Sequence, residues 1–185
     1  NRTLTVSVND GIVDSNSVML EALLQRDGAA GVRTQMIPDR RDAIKNALLQ
    51  AREDIVFISG GSSVGAEDHA PRILQEIGEL CVHGVALRPS SPAGFGFLGK
   101  RVVFLLPGNP VSCLCAYDLF AGRAVRQLGG RSTNLPYAAC LLPLAGKIAS
   151  MIGISSDSVK KTRQRLRKKL QLDTEEILEG VIYKM

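Results

Sequence analysis

The sequence predicts a three-layer α/β domain, a mostly parallel sheet between helices, followed by a small all-helical tail with a helix-turn-helix pattern. Three observations predict it. Short runs rich in β-branched and aromatic residues, such as Ile55-Val56-Phe57-Ile58 and Val102-Val103-Phe104-Leu105, alternate with helical patterns. Two loops bearing glycine or proline, Ser59 to Asp68 and Leu106 to Ser112, stand where such a run hands over to a helix. Beyond Gly146 the composition turns basic, with Lys147, Lys160, Lys161, Arg163, Arg165, Arg167, Lys168 and Lys169 against the single acid Asp157 up to Leu172.

The elements follow in order. A strand at 3–8 leads to a helix at 16–26, capped by Asn16, striped by Met19, Leu20, Leu23 and Leu24, and ended by Gly28. A strand at 32–37, a helix at 40–52, a strand at 54–58 and a helix at 70–78 come next. Strands near 84–88, 93–97 and 101–106 precede a helix at 111–128. Gly129, Gly130, Ser132, Asn134 and Pro136 mark a linker. The organisation is thus an α/β domain over 1–130, a linker or the start of a β domain over 131–146, and a basic helical module over 147–185.

A chain of 185 residues can bury a real core and carry a small module besides. Its net charge of +5 is concentrated in the tail. The four cysteines, Cys81, Cys113, Cys115 and Cys140, lack metal-ligand spacing and read as buried thiols in a reducing compartment. His69 and His83 are too isolated to suggest a metal site. With no apolar run of about 18 residues and no signal peptide, membrane and secreted readings are disfavoured and a cytoplasmic location is expected.

The loops carry the chemistry. Gly60, Gly61 and Gly65 let backbone amides approach an anion, and Ser59, Ser62 and Ser63 add hydroxyl donors. Because strand carboxyl ends are where open α/β sheets bind ligands, the expected ligand is phosphorylated. Asp68, beside Glu67, reads either as a divalent-metal or phosphate-directed group or as the cap of the next helix. In the second loop Pro107 and Pro110 stiffen the backbone, Gly108 opens it, and Asn109 offers both a donor and an acceptor, with Ser112 following.

Residues 11 to about 131 resemble the catalytic domain of the molybdopterin molybdotransferase family. The resemblance rests on Gly11-Ile12-Val13-Asp14-Ser15-Asn16, Ile37-Pro38-Asp39, the 59–68 loop, Val85-Ala86-Leu87-Arg88-Pro89 and Leu106 to Ser112, in the family's order and spacing. It implies a molybdopterin-binding fold in which Asp39 and Asp68 are acidic active-site residues, with Pro107 and Pro110 shaping the site. It further implies adenylylated molybdopterin as substrate, molybdate as co-reactant, Mg²⁺ held by Asp68, and a homodimer. The chain departs from the family pattern where Val8 runs directly into Asn9-Asp10-Gly11: a Gly-Asp-Glu-Leu segment is missing there, with Asp10 the nearest acid. The family's N-terminal domains are also missing, and Leu135 to Leu144 resemble a β domain cut off after one strand.

The tail resembles the helix-turn-helix of LuxR-type and sigma-like regulators. Ile148, Ala149, Met151 and Ile152 make a short helix, Gly153-Ile154-Ser155 turns, and a second helix carries Val159, Leu166 and Leu170 on its apolar face. In that reading Ser158, Lys160, Lys161, Arg163 and Gln164 face duplex DNA. The alternative is a basic helix packed on the α/β domain with its charges in solvent. Two functions follow, a molybdopterin-dependent transferase domain and a DNA-binding regulator that senses the pterin.

Overall fold

The computed structural model describes residues 1–8, 13–60 and 69–137, together with Gln164. The chain divides into two compact units, Asn1–Pro136 and Tyr137–Met185. In the first, the described strands are β1 (Arg2–Val8), β2 (Gly31–Ile37), β3 (Ile55–Ser59), β4 (Glu79–His83), β5 (Gly94–Leu98) and β6 (Arg101–Leu106). They form one six-stranded sheet in the order β2-β1-β3-β6-β5-β4. The first four of that order are parallel, and β5 and β4 are added antiparallel at the far edge.

The strands' two-residue alternation sends side chains to two cores. Leu4, Val6 and Val8 of β1 join Val56 and Ile58 of β3 in one core, which α2 (Arg41–Gln50) covers with Ile44 and Leu48 and α3 (His69–Ile77) with Ile73 and Leu74. Ile55 and Phe57 face the other way, where α1 (Ser15–Asp27) contributes Leu20 and Leu24. That second face is closed by α4 (Pro110–Ala116), a π-helical turn (Tyr117–Ala121) and α5 (Gly122–Leu128). Its centre is aromatic: Phe57 stacks on Phe104 at 5.4 Å, and Phe120 meets both Phe104 and Phe95 edge-on.

Four local expectations are corrected. The helix begins at Ser15, and its cap is Asp14, whose Oδ1 accepts from the Ser17 amide at 3.0 Å; Asn16 is used elsewhere. The strand expected near 84–88 lies earlier, at Glu79–His83, because an edge strand exposed at every second residue shows no hydrophobic run. Residues 84–93 form a loop instead, starting at Gly84 with φ of 91°. The helix expected at 111–128 is interrupted by the π-helical turn. There Tyr117 donates to the Asp27 carboxylate at 3.0 Å, and a Cβ on Gly122 would meet the Tyr117 ring at 2.9 Å. Cys81 is exposed on the edge strand, whereas Cys113 is buried as expected.

A buried ionic cluster locks α1 to α5. Asp27 accepts from Arg126 Nη1 at 2.8 Å, from Tyr117 and from Arg26, which also reaches Asp118 at 2.7 Å. Apart from Gln164, which is helical and exposed, the proposed DNA-facing residues Ser158, Lys160, Lys161 and Arg163 lie outside the described residues, as does the turn itself. No helix among the described residues is long and apolar enough to cross a membrane.

Candidate functional site

The chain leaves β1 to one side to make β2, then crosses to the other side to make β3, so the strand order reverses between β1 and β3. Such a switch point opens a crevice outside the strand carboxyl ends. Four described segments reach this edge: the start of α1, the turn after β2, the Ser59–Gly60 turn after β3, and Pro107–Asn109 after β6. The loop 84–93 joins them, since β4 ends and β5 begins there, and Ser90 Oγ donates to the Ser112 carbonyl at 2.6 Å. That bond fixes the segment carrying the exposed Arg88, a residue not singled out as a site residue from sequence.

The contacts among these segments are close. Gly60 has φ of 84°, and a Cβ there would lie 2.6 Å from the Val8 carbonyl oxygen, so β1 and the turn after β3 meet backbone to backbone. A Cβ on Gly108 would touch Gly60 Cα at 3.4 Å, which sets the two expected ligand loops side by side. Asn16 Nδ2 donates to the Gly108 carbonyl at 2.9 Å, joining α1 to the second loop.

Asn16 Oδ1, Ser17 Oγ and Ser59 Oγ, at or beside this edge, are buried without a hydrogen-bond partner among the described residues. Ser59 is 2% exposed and ends β3 on the face shared with Phe57, with Ser7 paired beside it. Such buried atoms in folded proteins are usually met by ordered water, an ion or a bound molecule. The second loop is rigid for local reasons. Asn109 caps α4, its Oδ1 accepting from the Ser112 amide at 3.1 Å and the Ser112 hydroxyl at 3.3 Å, and Pro110 takes the first helical position. The acceptor expected to face a ligand is thus occupied by the helix. Pro107 is buried, while Gly108, Asn109 and Pro110 are exposed. One turn on, burial and, secondarily, the charge of Asp14 push the Cys113 thiol up to about 12, which leaves it protonated and inert.

Asp39 stands two residues past β2, exposed at the same edge. Gly61, Ser62, Ser63, Gly65 and Asp68 lie outside the described residues. No group of three or more His, Cys, Asp or Glu side chains that could hold a metal occurs among the described residues.

A doubly wound α/β sheet with its loops gathered at the switch point is the architecture in which open α/β domains bind small ligands. The chain belongs to the molybdenum cofactor biosynthesis family described as a probable molybdopterin binding domain, which matches residues 3–127. It is 31% identical over 157 residues to a molybdopterin molybdenumtransferase of Nostoc sp., covering 82% of this chain and 35% of that protein. The molybdopterin biosynthesis MoeA protein of Pyrococcus horikosii superposes with a TM-score of 0.62 at 28% identity, over 70% of this chain and 36% of that one. The chain therefore spans about a third of the length of these relatives. A Mog protein of Mycobacterium ulcerans, at 18% identity and a TM-score of 0.58, shares the fold over 71% of this chain and 98% of its own.

Proposed function

We propose that residues 1–130 bind molybdopterin, in its adenylylated form, across the switch-point edge, and that the domain serves the insertion of molybdate. The observation that carries this is the convergence of the Ser59–Gly60 turn, the Pro107–Asn109 loop and Asn16 at the switch-point edge. The phosphates of such a ligand suit the donors that the sequence offers after Gly60, the hydroxyls of Ser62 and Ser63 and the backbone amides of a glycine-rich stretch. Family membership and homology to molybdopterin molybdenumtransferases support the ligand.

In this reading Asp39 and Asp68 are the acidic groups of the reaction. Asp68 would hold Mg²⁺, which supplies neutralising charge at the phosphates. The chain's own described residues shape the site: the anchored second loop gives a rigid wall, and the Ser59–Gly60 turn packs beside it. A second copy of the chain and a cytoplasmic setting fit the family. The DNA-binding role of residues 147–172 rests on their sequence alone.

The test is a paired assay on Asp68→Asn and Asp39→Asn. Both should keep the fold and most of the pterin affinity while losing Mg²⁺-dependent AMP release, since the amide matches the carboxylate in shape but not in charge. A parent chain that binds the pterin and releases no AMP would make this a binding domain only, with the missing Gly-Asp-Glu-Leu segment as the cause.

A further inference from the structure

We infer that Asn16 is a positioning residue, whose side-chain amide holds the Pro107–Asn109 loop against the Ser59–Gly60 turn and so sets the shape of the ligand edge. Asn16 is 7% exposed, lies in the first turn of α1, and is not the helix cap, since Asp14 does that work. An asparagine buried in the first turn without a capping role is free to act across the structure. Its Nδ2 reaches the Gly108 carbonyl at 2.9 Å, a bond spanning 92 residues of sequence. Gly108 in turn packs on Gly60 Cα, and Gly60 packs on the Val8 carbonyl. One amide thus ties three strand ends together from the side of α1. Its Oδ1 is buried without a hydrogen-bond partner among the described residues.

The inference rests on the reading of this edge as a binding site for a phosphate-bearing ligand, and the two can fail separately. Asn16→Asp keeps the shape but removes the donor, and its carboxylate would repel the Gly108 carbonyl. Protonation restores an O–H donor, and burial beside that carbonyl raises the carboxyl above its usual range. Amide exchange in the peptide spanning 105–113, which carries the Ser112 and Cys113 amides held by Asn109, reads the loop directly. After correction for intrinsic rates, exchange in Asn16→Asp should rise about 5-fold or more at pH 8 and return toward the parent level near pH 5. A purely structural loss would not reverse with acid. Asn16→Ala should loosen the loop at both pH values. Unchanged exchange in both variants overturns the inference. Titration with AMP, as a phosphate-bearing probe, separates the two ideas. A parent chain that binds no AMP while its variants loosen upholds the role of Asn16 and sinks the ligand reading. Loosened variants that bind AMP as tightly as the parent overturn the claim that this loop shapes the site.

Discussion

Replacing Gly60 by alanine should be among the more damaging single-methyl changes in the domain, and its cost can be worked from two sources. The residue sits at φ of 84°, where an L side chain is strained by roughly 1–2 kcal/mol. Alanine also restricts the unfolded chain, which returns about 0.4–1 kcal/mol. The second source is steric: the new Cβ would stand 2.6 Å from the Val8 carbonyl oxygen, against 3.4 Å for an ordinary contact, and the obstacle is backbone that cannot swing away. Overpacking of this kind typically costs about 1–3 kcal/mol, so a total of about 1–4.6 kcal/mol, centred near 3, is expected. Gly99, with φ of 62° and nothing within 4 Å of its would-be Cβ, isolates the strain. Gly99→Ala should cost about 1 kcal/mol or less, and Gly108→Ala, whose Cβ meets Gly60 Cα at ordinary distance, less than about 0.5 kcal/mol. Urea unfolding of the three variants, with unchanged m-values, measures the difference. If Gly60→Ala costs no more than Gly99→Ala, β1 and the turn after β3 are not in backbone contact and the edge described here is wrong.

Further outcomes are expected elsewhere. Asp27→Asn leaves Arg126 without its buried counter-charge and should cost about 3–5 kcal/mol in chemical denaturation, while a surface change such as Asp42→Asn should be near neutral. The Arg33 guanidinium holds the Glu53 carboxyl down at about 2, from an ordinary 4.5. A depressed carboxyl stabilises the fold above its unfolded value, and that contribution is lost as pH falls from about 4.5 toward 2. Arg33→Gln should flatten the fall of stability across that window, and an unchanged slope would refute the pairing.

The central strands were legible because β3 and β6 are buried on both faces and read as unbroken apolar runs. Their carboxyl-terminal loops could be read for the same reason, since glycine and proline stand out against such runs. The edge strand β4 was misplaced because Glu79, Cys81 and His83 fall on its exposed side. The cap of α1 was misassigned because Asp14 and Asn16 are both competent caps. What decides between them is the Gly108 carbonyl, 92 residues away. The π-helical turn was hidden because the apolar pattern continues through it, while the contacts that accompany it, from Tyr117 and Gly122 to Asp27, are made across to α1. Long-range polar contacts of this kind leave no periodic trace in a sequence.

Calorimetric titration of adenylylated molybdopterin into the parent chain and into Ser59→Ala tests the binding edge most directly. Ser59 Oγ is buried and unpaired, so removing it should leave stability unchanged or raise it by up to about 1 kcal/mol. The same change should weaken the pterin about 5- to 10-fold, because in the proposed complex the ligand takes up the Ser59 hydroxyl, which has no partner among the described residues. Saturable binding by the parent, weakened in a variant that is no less stable, is the predicted result; equal affinity in the two proteins, or no binding by a folded parent, would contradict it.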